Sequence, residues 1–361
     1  MIQSVAVPGK LRTLIVDDTA LYRRAVTDAL SGLPSIELVG TAGNGRMALA
    51  KLEELQPDLM TLDIEMPELN GIEVLEAISS WRKKPAVLVL SALTVQGSNL
   101  TMRALELGAF DFVTKPEGVR SLEVLKESLA PRVQAFAERA ILRDRSHKVA
   151  VSRQPVVAAA PRPGSKAKRL IVIGVSTGGP QALAQVLPHL PPDLSVPVLI
   201  VQHMPPLFTA ALAESLQRKS AIKIKEAEDG ELVCPAQVYI APGGKQMKIK
   251  SLPNGEIRIE ITADPPENHC RPSVDYLFRS VALQAPGSAI AVILTGMGND
   301  GAQGLRLLKR TGCATIAQDE ATSVVFGMPR EAVATGAVDD VLPLESVAGH
   351  LVNLLAHGKP S

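Results

Sequence analysis

The chain has 361 residues, 46% of them hydrophobic and only 3% aromatic, with 38 Lys and Arg against 37 Asp and Glu for a formal net charge of +1. That length and composition fit two domains with aliphatic cores, which favours parallel α/β sheets over β-sandwiches. The balanced charge excludes a global electrostatic footprint for nucleic acid or membrane, and the three dispersed cysteines, Cys234, Cys270 and Cys313, exclude a Cys-x-x-Cys metal or redox motif.

Such cysteine usage fits a reducing compartment, and the apolar runs are strand-sized rather than bilayer-sized. The N-terminus lacks an apolar signal core, so a soluble cytoplasmic protein is expected. Leu11–Val16 reads as a buried strand that stops at Asp17-Asp18, and Ala20–Leu30 has helical spacing. Ile36–Ala42 and Gly45–Leu55 repeat the pattern. Leu59–Leu62 leads into Asp63 and Ile64-Glu65-Met66-Pro67, followed by a helix from Gly71. Ala86–Leu90 ends at Ser91-Ala92, Met102–Leu107 is helical, and Phe110–Val113 ends at Thr114-Lys115-Pro116 before a helix opening at Glu123. Strands alternating with helices imply a parallel sheet with right-handed crossovers.

In such a sheet the functional groups gather where strands end. Here those ends carry Asp17, Asp18, Asp63, Ser91 and Lys115. Clustered carboxylates repel unless a cation joins them, and hard oxygen ligands suit Mg²⁺. Lys115 supplies a further counter-charge, so the set suits phosphoryl transfer onto Asp63.

The motifs Val16-Asp17-Asp18, Leu62-Asp63-Ile64-Glu65-Met66-Pro67, Asn70-Gly71, Ser91-Ala92 and Thr114-Lys115-Pro116 resemble a two-component receiver domain of the flavodoxin-like type. The resemblance implies that Asp63 is the phospho-acceptor and that Asp18, Asp63 and the Glu65 carbonyl hold Mg²⁺, with Asp17 behind them. It further implies that Ser91 and Lys115 meet the phosphoryl group, that Phe112 is the switch aromatic, and that a histidine kinase is the phosphodonor.

Residues 131–168 are expected to be a flexible linker, although the charged stretch to Arg145 has the option of extending the last helix. From His147 to Arg169 periodicity is lost and no Asp or Glu occurs.

The βα alternation resumes at Leu170–Val175, which runs into Gly174-Val175-Ser176-Thr177-Gly178-Gly179-Pro180 and a helix. This fits the Gly-x-Ser-x-Gly pattern of a nucleophile elbow. The plainer alternative is a Gly-rich βα turn with a helix-capping serine. Val196–Val201 leads to Gln202-His203-Met204-Pro205, and Val238–Ala241 to Pro242-Gly243-Gly244. Gln246–Lys250 and Glu256–Ile261 flank Pro253-Asn254-Gly255, a hairpin signal. After a helix at Val274–Gln284, Ala289–Leu294 ends in Thr295-Gly296-Met297-Gly298-Asn299-Asp300-Gly301. Helices at Ala302–Lys309, Pro329–Thr335 and Leu344–Leu355, with a strand at Ala314–Ala317, complete the chain.

Three strands therefore end in Ser176, His203 and Asp300, the pattern of a nucleophile, a base and an orienting carboxylate. Backbone N–H groups beside Asp300, that of Met297 above all, are available to an oxyanion. The order Ser…His…Asp differs from that of the α/β-hydrolases. The motifs around Ser176, His203 and Asp300, together with Arg271-Pro272-Ser273-Val274-Asp275, resemble the CheB family of chemotaxis methylesterases. That resemblance implies hydrolysis of γ-glutamyl methyl esters on the cytoplasmic helices of methyl-accepting chemoreceptors, and deamidation of receptor glutamines. It carries over Ser176, His203 and Asp300 as the triad, and Thr177 and Met297 as oxyanion or supporting residues.

His269 and Cys270 are read as local structure, not ligands. The expectation is an α/β chain: a flavodoxin-like (βα)₅ receiver over residues 10–130, a linker over 131–168, and a doubly wound, mostly parallel, Rossmann-like esterase domain with a β-hairpin over 169–357. The expected protein is a monomer that inserts in no membrane, binds no nucleic acid and uses no cofactor for ester hydrolysis. Its unphosphorylated receiver is expected to cover the esterase site. The rival classes are a DNA-binding response regulator and a non-catalytic phosphate- or nucleotide-binding module.

Overall fold

The computed structural model describes residues 9–116, 122–147 and 169–356. The chain divides into two compact units, Met1–Arg153 and Gln154–Ser361.

The N-terminal unit is built on five strands, β1 (Leu11–Val16), β2 (Ile36–Ala42), β3 (Leu59–Asp63), β4 (Ala86–Ala92) and β5 (Asp111–Lys115). They form one parallel sheet in the order β2-β1-β3-β4-β5. Helices α1 (Ala20–Ser31), α2 (Gly45–Leu55), α3 (Gly71–Ile78) and α4 (Val95–Glu106) make the crossovers, and α5 (Leu122–His147) follows the last strand. The central strand β3 is buried at every residue, as the unbroken run Leu59-Met60-Thr61-Leu62 requires of a strand covered on both faces. Caps define where the helices start. Asn70 accepts a hydrogen bond from the Glu73 amide at 3.0 Å, and Glu73 accepts from the Asn70 amide at 2.8 Å, a capping box that opens α3 just after Asp63.

One boundary expectation fails. Residues 131–147 are not linker but the continuation of α5, which runs through Pro131. Leu125, Leu129, Val133 and Ala137 are fully buried at four-residue intervals, so one apolar stripe spans the proline. Pro131 lies on the exposed side of the helix, away from that stripe. Phe136 stacks on Phe110 with ring centroids 4.1 Å apart, which anchors the far half of the helix to the sheet. The remainder of the expected linker, 148–168, lies outside the described residues.

The C-terminal unit carries seven parallel strands in the order β14-β13-β12-β6-β7-β9-β8. These are β6 (Leu170–Val175), β7 (Val198–Gln202), β8 (Lys223–Glu226), β9 (Gln237–Ile240), β12 (Ala289–Ile293), β13 (Ala314–Gln318) and β14 (Asp340–Leu342). The antiparallel pair β10 (Gln246–Ser251) and β11 (Ile257–Thr262) forms the expected hairpin. Its buried Met247, Ile249, Ile257 and Ile259 share a core with Leu277, Phe278 and Val281 of α8 (Val274–Gln284). The other helices are α6 (Gly179–Val186), α7 (Phe208–Gln217), α9 (Ala302–Arg310), α10 (Met328–Ala334) and α11 (Leu344–Ala356).

Strands β8 and β14 are not evident from sequence, because both are short edge strands with few buried apolar residues. From β6 the chain first builds β7, β8 and β9 on one side, then returns to lay β12, β13 and β14 on the other. The order reverses at β6, and the crevice at such a reversal lies beyond the carboxyl ends of the strands. Among the described residues no helix is long and apolar enough to cross a membrane.

Candidate active site

Ser176 follows the last residue of β6, a strand whose six residues are all buried. Gly178 then adopts a φ of +77°, and the chain enters α6 with a proline in its first turn. A Cβ on Gly178 would lie 2.6 Å from that of Val324, so both the conformation and the space demand glycine. The Ser176 amide donates to the Thr295 carbonyl at 3.0 Å, and its own carbonyl accepts from the Gly179 amide at 2.8 Å. Ser176 is thus level with the loop leaving β12. Gly296 closes that loop onto the serine, since a Cβ there would sit 2.8 Å from the Ser176 Cβ. The backbone N–H groups of Thr177 and Met297 donate to no acceptor among the described residues and flank the half-buried serine.

The register of β6 on β7 pairs Val175 with Gln202, so Ser176 and His203 are the next residues along two adjacent strands. Strand spacing of about 4.8 Å brings their side chains within reach of each other. His203 Nε2 lies 2.8 Å from Asp300 Oδ2. The Ser176 hydroxyl makes no hydrogen bond to His203 among the described residues, as is common before substrate binds. The nitrogen that faces away from Asp300 is Nδ1.

Asp300 is 3% exposed and richly held. Besides His203 it accepts from Ser273 Oγ at 2.9 Å, from the Val274 and Asp275 amides at 2.7 and 3.1 Å, and from Asn268 Nδ2 at 2.9 Å. Ser273 caps α8, so the carboxylate sits at a helix N-terminus, where the dipole favours negative charge. Burial by itself would raise Asp300, but the bonds from His203, Asn268 and Val274 override it and hold the carboxyl below its usual value. Burial likewise works against a charged His203. Its hydrogen bonds to Asp300 and Cys270 prevail and push it up to about 9. Behind them Asp275 accepts from the Gly304 amide at 2.6 Å and from Asn268 Nδ2 at 2.8 Å. Burial, with the charge of Asp300 adding to it, raises this second carboxyl.

Three supporting residues carry no role in the sequence reading. Gln202 Nε2 donates to the carbonyls of Ser176 at 3.0 Å and His203 at 3.2 Å. Its signal was a polar residue closing an otherwise aliphatic buried strand. Asn268 bridges the two carboxylates from a loop with no periodicity. Cys270, expected to be local structure and not a ligand, brings its sulfur to 3.7 Å from His203 Nδ1, a contact that only the folded loop reveals.

In the N-terminal unit, Lys115 Nζ pairs with Asp17 Oδ2 at 2.7 Å and Asp63 Oδ2 at 2.6 Å. Carboxylate oxygens of Asp17, Asp18 and Asp63 lie within 4.8 Å of one another. Asp17 and Asp63 are buried, while Asp18 and Glu65 face solvent. Burial, resisted by Lys115 and reinforced by the charge on Asp17, pushes Asp63 up to about 6. Burial also raises Asp17, against the pull of Lys115. Three carboxylates thus face one ammonium. The Glu65 carbonyl accepts no hydrogen bond among the described residues. This all-oxygen, charge-deficient set fits Mg²⁺. Ser91 is 1% exposed and its hydroxyl donates to the Gly97 carbonyl at 3.1 Å, while Phe112 is buried on β5 beside Asp111.

A family model described as CheB methylesterase matches residues 171–351, and one described as response regulator receiver domain matches residues 13–126. The protein-glutamate methylesterase/protein-glutamine glutaminase of Desulfotalea psychrophila is 48% identical over 357 residues, covering 95% of this chain and 98% of its own length. The protein of the same name from a Nocardioides species is 44% identical, with 98% of each chain covered. The solved CheB methylesterase catalytic domain of Thermotoga maritima is 43% identical and superimposes with a TM-score of 0.51, covering 52% of this chain and 98% of that one.

Proposed function

This chain belongs to the CheB methylesterase family and carries a receiver domain ahead of the esterase, and from that premise we propose how its two sites do their work. The protein is a methylesterase of protein glutamyl methyl esters and a glutaminase of protein glutamines, regulated by phosphorylation within chemotaxis signalling. Its substrates are chemoreceptors and its phosphodonor is a histidine kinase.

Ser176 Oγ attacks the ester carbonyl while His203 Nδ1 takes its proton. Asp300 holds Nε2–H, fixes the tautomer and stabilises the imidazolium that forms. The amides of Thr177 and Met297 receive the oxyanion; one such donor is worth on the order of 10²–10³ in rate. The imidazolium returns its proton to the departing methoxide oxygen, or for a glutamine to the amide nitrogen, so that the C–O or C–N bond breaks, methanol or ammonia leaves, and an acyl-serine remains. Water, with His203 again as base, releases the glutamate. The observation that carries this reading is the His203–Asp300 contact of 2.8 Å on the strand adjacent to Ser176. Ser176→Ala tests it: methanol release from a methylated receptor fragment should disappear with the fold intact, and retained wild-type turnover refutes the assignment.

In the receiver, Asp63 accepts the phosphoryl group. Asp18, Asp63 and the Glu65 carbonyl would hold Mg²⁺, with Asp17 behind them, and the ion when bound would neutralise phosphoryl oxygens. Lys115 orients the Asp63 carboxylate and offers its ammonium to the transferred group. Ser91 donates to that group, and Phe112 repacks as Ser91 moves. The domain limits this implies are a receiver reaching through α5 and an esterase over 169–357.

A further inference from the structure

Both nitrogens of the His203 imidazole are engaged. Nε2 meets Asp300 at 2.8 Å, and Nδ1 meets the Cys270 sulfur at 3.7 Å. The second separation is that of a hydrogen bond to sulfur, and it also matches one edge of a tetrahedral zinc site. Zn–N of about 2.0–2.1 Å and Zn–S of about 2.3 Å at the tetrahedral angle place nitrogen and sulfur about 3.6 Å apart. Donor atoms of His203, Cys270 and Asp300 all lie within 4.8 Å of one another. A carboxylate on the far nitrogen is also the arrangement that orients metal-ligating histidines and fixes their tautomer.

The sulfur is held in place by its surroundings. The Cys270 amide donates to the Glu267 carbonyl at 2.8 Å, and the Glu267 amide donates back at 3.1 Å. Gln246 Nε2 donates to the Cys270 carbonyl at 3.3 Å. Arg279 grips the Glu267 carboxylate through both guanidinium nitrogens, at 2.6 and 2.7 Å. His203 and Cys270 are each only partly buried, so an ion can reach them from solvent. No step of ester hydrolysis uses the thiol.

We propose that His203 Nδ1 and Cys270 Sγ form a capture site for a thiophilic divalent cation of the Zn²⁺ type, and that its occupancy silences the esterase. On binding, the thiol proton leaves to solvent, sulfur and nitrogen lone pairs enter the metal's coordination sphere, and water completes it; no redox change occurs. The Nδ1 lone pair is then unavailable to the Ser176 proton. The silencing half of this inference rests on His203 being the base, while the capture half does not.

Co²⁺ is the spectroscopic probe and Zn²⁺ the inhibitor, both applied to the full chain in excess Mg²⁺ so that the hard acidic cluster of the receiver is occupied. Wild type should show thiolate-to-cobalt charge-transfer absorption, absent from Cys270→Ser and Cys270→Ala and retained in Cys234→Ser. Without phosphodonor, Zn²⁺ should inhibit ester hydrolysis, and the concentration needed should rise by at least about tenfold in the two Cys270 variants that remain active. No absorption in wild type, or absorption that survives loss of Cys270, overturns the site. Cobalt absorption that depends on Cys270, with ester hydrolysis indifferent to Zn²⁺, overturns silencing and with it His203 as the base. Residual turnover by Ser176→Ala leaves the absorption untouched, so the two failures are separable.

Discussion

The raised His203 makes the pH profile the sharpest test of the catalytic assignment. Only neutral imidazole accepts the Ser176 proton. A folded value of about 9 leaves about 1% of it neutral at pH 7, against about three-quarters for an unperturbed histidine of 6.5. Turnover should therefore climb close to tenfold per pH unit between about pH 6 and 8 and level off near the raised value. The sign is fixed: a base whose proton is held more tightly by Asp300 is switched off as pH falls through that higher value. Asp300→Asn removes the carboxylate charge and one accepting oxygen, so the limb should move towards 6.5. The plateau should fall as well, because the Nε2–H tautomer loses its holder. The analogous change in a serine protease, a known worked case, costs about 10⁴ in kcat. At pH 7 the gain in neutral imidazole is below about a hundredfold and cannot recover that loss. The assay is kcat/KM for methanol release against pH, which reports the free enzyme. A wild-type profile flat from about pH 6 to 8, or an Asp300→Asn limb with an unmoved midpoint, refutes the reasoning.

Other outcomes follow from single contacts. Gly296→Ala drives a methyl into the sulfur of buried Met328 and places it 2.8 Å from the Ser176 Cβ, so it should depress kcat by about 10² and also cost about 1–3 kcal/mol of stability; unchanged kcat would detach that loop from the site. Asn268→Ala removes the bridge between Asp275 and Asp300, and should cost about 1 kcal/mol in denaturant unfolding together with a several-fold loss of kcat. Asp63→Asn should abolish stimulation by a small-molecule phosphodonor while leaving basal hydrolysis, and chelating Mg²⁺ from wild type should have the same effect; equal stimulation of variant and wild type removes Asp63 from regulation.

The fold was readable where burial and periodicity coincide. The aliphatic runs ending at Asp63, Ser176 and His203 read as covered parallel strands, and each is buried throughout, with the candidate site residues at its end. The output unit is a seven-stranded parallel sheet matched by the CheB methylesterase family, not the helix-turn-helix module that the DNA-binding alternative called for. What stayed hidden depends on contacts distant in sequence. The edge strand Lys223–Glu226 looks like surface because only Ile224 is buried. Pro131 looks like a helix stop because the stripe through Val133 and Ala137 that carries the helix past it is legible only against the sheet. Asn268 and Cys270 lie in a loop whose path is set by the groups it meets, and nothing in their local sequence says that those groups are Asp300 and His203.

The carboxamide of Gln202 has a consequence for how this enzyme fails. One buried side chain grips the main chain of the nucleophile and of the base at once, while its own oxygen, only 2% of the residue being exposed, finds no partner among the described residues. Neither strand end is then free to fray alone: when the amide lets go, serine and imidazole drift together. Heating should accordingly extinguish turnover in a single step that coincides with loosening of the sheet's middle, with no half-assembled catalytic form on the way.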